Sequence, residues 1–166
     1  MKRLLFPLFL WALAAPALAQ GHWPVTGDYT SCTMSSPDQQ ISLVWGMEKP
    51  RVVRVHVRSE ELNALASSNP VKVGLQFEFG AGEPNSWDNE TSILANSQGS
   101  STAILRIDDA ELLTALAEAS YVMVLVEYEE VLKVPLVGSS DAMSRFRQCM
   151  ARVRTIDDRV HGRRRF

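Results

Sequence analysis

The sequence predicts an α+β fold: a mostly antiparallel, β-sandwich-like sheet of about seven short strands. Two or three helices accompany it, including a long C-terminal one. Three observations carry this reading. Apolar and polar residues alternate over several short runs, Gly- and Asn-rich turns separate those runs, and two later segments carry apolar residues at helical spacing. The chain has 166 residues, 46% of them apolar and 22% charged. That suits one domain with a real core and excludes a disordered chain or a collagen-like repeat.

Taken in order, Ile41, Leu43 and Trp45 alternate with Ser42 and Val44. Val53, Val55 and Val57 alternate with Arg54, His56 and Arg58. Val71, Val73, Leu75, Phe77 and Phe79 alternate with Lys72, Gly74, Gln76 and Glu78. A period of two means half-buried strands, with one face on the core and one in water. Between the last two runs, Ser59-Glu60-Glu61-Leu62 caps one or two helical turns that Asn69-Pro70 ends. Residues 80–89 read as a turn-rich loop with Gly80, Gly82, Pro84 and Asn85. Thr91 to Ala95 and Thr102 to Ile107 read as strands.

Asp108 and Glu111 suit a capping box for a helix whose stripe is Leu112, Leu113, Leu116 and Ala119. Tyr121 to Val126 is apolar on both faces and reads as a central, doubly covered strand. Glu129-Glu130 suits a hairpin turn, and Pro135 marks the return strand as an edge or a bulge. After Gly138, with Ser139 or Ser140 as cap, Ala142, Phe146, Cys149, Met150, Val153 and Ile156 recur at helical spacing.

Residues 1–19 read as a secretory signal peptide. Lys2 and Arg3 precede an apolar run from Leu4 to Ala15, and Ala17-Leu18-Ala19 offers a cleavage site. The run is too short to span a bilayer. The expected organisation is therefore a signal peptide, a single domain over 20–156 and a frayed Arg-rich tail over 157–166, with export to the periplasm or beyond. From Gln20 onward 15 basic residues face 19 acidic ones. The part from Gln20 to Cys149 carries −8 and the rest +4, so nucleic acid is not an expected partner.

Cys32 and Cys149 are the only cysteines. In an oxidising compartment they are expected to pair as a structural disulfide. A redox role lacks a Cys-x-x-Cys pair.

Catalysis finds little support. His22, His56 and His161 are the only histidines and no Gly-x-Ser-x-Gly elbow exists. The carboxylate pairs at Glu60-Glu61, Asp108-Asp109, Glu129-Glu130 and Asp157-Asp158 sit at helix starts and turns. The expectation is a protein that is not an enzyme and needs no cofactor. Arg54, His56 and Arg58 share the polar face of one strand and suggest an anion-binding strip, which Lys72 on a neighbouring strand would extend. Arg163, Arg164 and Arg165 suggest weak contact with an anionic membrane surface. Cleavage after Ala19 would expose Gln20-Gly21-His22. Its α-amine, two amides and imidazole form a four-nitrogen set suited to Cu(II) or Ni(II).

Trp23 followed by Cys32, the run of short strands, and Gly138-Ser139-Ser140-Asp141-Ala142 opening a helix with Cys149 together resemble the invasion-associated locus B family of exported bacterial proteins. The resemblance spans nearly all of the chain after residue 19 and stops before the Arg-rich end. It implies a periplasmic β-sandwich-like domain with a binding or envelope-supporting role and no catalytic residues. Trp23, Cys32, Gly138 and Ala142 match as framework positions. An inhibitor of a lysozyme-like enzyme is the alternative; it would present 80–89 as a rigid protrusion. A metal-handling N-terminus is the other.

Overall fold

The computed structural model describes residues 21–47, 52–80, 84–95, 99–108 and 110–162. Residues 1–20, with the expected signal peptide, and Arg163, Arg164 and Arg165 lie outside them. The fold is α+β, with one antiparallel sheet of nine strands in the described residues. The strands are β1 (Val25–Gly27), β2 (Ser31–Ser35), β3 (Ile41–Gly46), β4 (Val53–Ser59), β5 (Ser67–Glu78), β6 (Asn85–Ala95), β7 (Ser101–Ile107), β8 (Tyr121–Val126) and β9 (Glu129–Pro135). Two α-helices, α1 (Ala110–Glu118) and α2 (Ser139–Gly162), and a 3-10 helix over Glu61–Leu65 complete it.

The spatial order is β1-β2-β3-β4-β7-β6-β5-β8-β9. After β4 the chain crosses to β5 and returns through two hairpins to lay β7 beside β4, a Greek-key path. The 3-10 helix within that crossover touches β4, β6, β7 and β9. The sheet therefore curls toward its far edge without closing, where the sequence predicted a sandwich of about seven strands.

Burial follows the pleat. Cys32 and Met34, then Ile41, Leu43 and Trp45, then Val53, Val55 and Val57 all point inward. Val73, Leu75 and Phe77 are buried as predicted, while Val71 and Phe79 are partly buried at the rim. Phe77 meets Trp87 edge-on, with ring centroids 5.3 Å apart. The helical layer covers one end of this inner face. α2 lies over β1, β2 and β3 with Ala142, Met143, Phe146, Met150 and Val153 inward, and packs against α1.

Three close fits fix α2. Cys32 on β2 is bonded to Cys149 on α2, with Cα atoms 6.0 Å apart and a separation of 117 positions in sequence. In the chain-entropy account so long a loop stabilises by about 4–5 kcal/mol. Gly27 faces that bond, since a Cβ there would lie 2.5 Å from Cys149 Sγ. Gly138, at φ +82°, opens α2 against the Gly21 carbonyl and leaves no room for a side chain. Ser139, rather than capping its own helix, donates its hydroxyl to the Leu116 carbonyl at the end of α1 (2.6 Å). Arg145 donates to the Trp23 carbonyl (3.2 Å), and Trp23 is fully buried.

Several sequence expectations change. β1 and β2 were not anticipated. Residues 85–89, read as loop, are the start of β6, paired with β5 from Asn85 opposite Phe77. Asn69-Pro70 lies within β5, where a register shift between Ser67 and Val71 absorbs the proline. The β8–β9 turn is Glu127-Tyr128, both at positive φ, and Glu129 is already paired with Val126. Pro135 does sit on an edge strand. β8 buries only Val122, Val124 and Val126, because the outer face of the sheet is uncovered there. The tail does not fray from residue 157: α2 continues to Gly162, and Asp157 is buried. Asp109, beside the predicted cap of α1, lies outside the described residues.

Replacing Phe77 by Ala is expected to cost about 3–5 kcal/mol in denaturant unfolding, because it empties a fully buried aromatic site. Gly138→Ala should cost about 2 kcal/mol or more, since the new Cβ meets backbone and the conformation is left-handed. A loss under about 0.5 kcal/mol at either position would contradict this packing.

Candidate functional site

β4 alternates strictly, so burying Val53, Val55 and Val57 sends Arg54, His56 and Arg58 to the opposite, outer face. Pairing with β7 then sets their neighbours. Arg54 stands opposite Arg106, His56 opposite Ile104, and Arg58 opposite Thr102. Two like charges placed directly across a strand pair destabilise it. On the other side, β3 places Val44 opposite Arg54 and Ser42 opposite His56. The surroundings of the imidazole are thus cationic, hydroxylic and apolar.

His56 is half-buried, and its Nε2 has no hydrogen-bond partner among the described residues. Burial chiefly, with Arg54 and Arg58 adding repulsion, lowers its pKa below the ordinary imidazole value of 6.5. The imidazole is therefore neutral at pH 7, and the positive charge of the strip comes from the arginines. An anion seated beside it would favour the imidazolium.

Lys72 does not extend this strip as the sequence suggested. Its strand β5 is separated from β4 by β7 and β6. Lys72 Nζ sits 3.1 Å from Asp88 Oδ2 and donates to the Tyr128 hydroxyl at 2.8 Å, over the same ring. The Glu127 carboxylate accepts from the Lys72 backbone N–H (2.8 Å). Lys72 therefore anchors the β8–β9 turn to β5.

The strip instead continues into a cleft between β6 and β7. These strands pair through Ile93, Leu94 and Ala95 against Ala103, Thr102 and Ser101. Beyond that, side chains stand in for the ladder. The Thr91 hydroxyl donates to the Ile104 carbonyl (3.1 Å), and the Arg106 N–H donates to Asn89 Oδ1 (2.8 Å). The strands part there and leave an open cleft of about 470 Å³ lined by Asn89, Glu90, Thr91, Ile104 and Arg106. Glu90 and Arg106 share this cleft without forming an ion pair with each other.

Arg106 and the cleft were missed in the sequence. Arg106 has the same outward parity along its strand as Arg54 does on β4, but only the strand order reveals that they meet.

His22 is exposed, and Gly21 has φ +102° with its neighbours Val137 and Gly138 packed close. A square-planar chelate through the Gly21 and His22 amides requires an extended φ at Gly21, so that segment must rearrange to bind metal. Among the described residues, no three His, Cys, Asp or Glu side chains are grouped to hold a metal ion. Of the α2 arginines, Arg147 reaches the Thr114 hydroxyl and Arg154 lies over the Trp45 ring.

No family model, curated protein or solved structure matches this chain. No helix among the described residues is long and apolar enough to cross a membrane. The Cys32–Cys149 bond fits a protein outside the cytoplasm, where disulfides persist.

The depressed pKa of His56 has a defined consequence. The unfolded chain takes up the proton more readily than the folded one. The contribution of this group is therefore complete above pH about 6.5 and is lost as pH falls through the lower folded pKa. Denaturant midpoints measured from pH 7.5 to pH 5 should fall, and His56→Gln should flatten that slope. An unchanged slope in the variant would contradict the assignment.

Proposed function

We propose that this chain is an exported, non-catalytic binding domain of the invasion-associated locus B type. It holds an anionic component of the cell envelope on the outer face of β4 and β7. The observation that carries the reading is the direct opposition of Arg54 and Arg106 around a neutral, half-buried His56. The two guanidiniums can share one anion through charge-assisted N–H bonds. The rest of the domain supports a binding role. The residues behind the family resemblance serve the frame: Trp23 and Ala142 are fully buried, Cys32 forms the crosslink, and Gly138 permits the close start of α2. The periplasm supplies both the oxidant for the crosslink and envelope anions for the strip. Of the segment 80–89 that the inhibitor reading would present, Asn85 to Asn89 belong to β6.

Retention on immobilised heparin, a general polyanion, tests this. The chain from Gln20 on is acidic overall, so retention must come from a local basic surface. Arg54→Gln with Arg106→Gln should weaken binding at least about tenfold, about 1.4 kcal/mol, and lower the eluting salt. Arg152→Gln with Arg159→Gln on α2 should change it little. The reverse order would move the binding surface to α2.

A further inference from the structure

Building on that reading, we propose that the β6–β7 cleft is a subsite for a sugar acid, a ring that carries a carboxylate beside free hydroxyls. The argument rests on what the cleft offers together. Arg106 supplies a planar cation that can grip a carboxylate through two N–H groups. Glu90 lines the same cleft and is not neutralised by Arg106. A carboxylate in that place repels a bare anion such as sulfate, which carries no proton and so has no donors to offset the repulsion. It accepts hydrogen bonds from hydroxyls. A ligand bearing both an anion and hydroxyls satisfies both walls.

The remaining groups are oriented by the parting of the strands. The Asn89 Oδ1 atom is occupied by the Arg106 N–H, so the amide NH₂ is the end left to donate. The Thr91 hydroxyl has committed its proton to the Ile104 carbonyl, so its oxygen remains an acceptor. The Ile104 side chain adds an apolar patch for the C–H face of a ring. The cleft volume of about 470 Å³ falls within the range of small-molecule sites. Because these groups sit on strands, their backbone positions are fixed before binding.

Calorimetric titration of the purified protein with galacturonate, glucose and sulfate at low ionic strength decides the matter. Galacturonate should bind at least about tenfold more tightly than either other probe. Arg106→Gln should weaken galacturonate about tenfold. Glu90→Ala should weaken galacturonate and strengthen sulfate, opposite shifts that a merely structural role of Glu90 would not give. Both side chains are exposed, and matched melting curves confirm folding of the variants. Sulfate binding as tight as galacturonate, or Glu90→Ala moving both probes the same way, overturns the sugar-acid subsite. If heparin retention still depends on Arg54 and Arg106 in that case, the anion strip stands alone. If that dependence is also absent, the strip falls with the subsite.

Discussion

Helices cover the inner face of the sheet at one end, and the outer face stays open along β4, β7 and β6. Every strand must therefore sort its residues by parity, and a slip of one residue would turn the valines of β4 into water and its arginines into the core. The parity that buries Val53, Val55 and Val57 also gathers Arg54, His56 and Arg58 on the opposite side. The curl and α2 then seal the inner face, which leaves the charged residues on the outer face. Fold and candidate site are consequences of one alternation.

The other end of the molecule is built for permanence. The Cys32–Cys149 bond joins the second strand to the last helix, and Gly27 and Gly138 allow backbones to approach where any side chain would intrude. Residues far apart in sequence are thereby tied together. The site lies on strands outside that joint, so its chemistry can vary without disturbing the frame.

Much of this was legible in the sequence and some was not, for physical reasons. β3, β4, the core of β5 and β7 announced themselves because strongly apolar residues alternate with polar ones. β2 alternates too, as Ser31-Cys32-Thr33-Met34-Ser35, but its inward residues are few and its outward ones resemble a linker. The first half of β6 has polar residues on both faces, since Asn89 and Thr91 are spent on the backbone of β7. The hairpin at Glu127-Tyr128 uses two residues at positive φ that lack the usual Asn-Gly signature. The order of strands was illegible because a Greek-key crossover pairs segments distant in sequence. Arg106 was therefore overlooked as the partner of Arg54, and Lys72 was placed too near it.

The account joins a neutral imidazole, two opposed arginines and a polar cleft into one recognition surface on β4, β7 and β6. Mapping amide chemical-shift changes as a polyanion is added to the isotopically labelled protein tests that union most directly. The account predicts that the changes cluster over Arg54 to Arg58, Asn89 to Thr91 and Ile104 to Arg106, and fade as salt is raised. Changes confined to α2 or to the Glu127-Tyr128 turn, with these three segments silent, would contradict it.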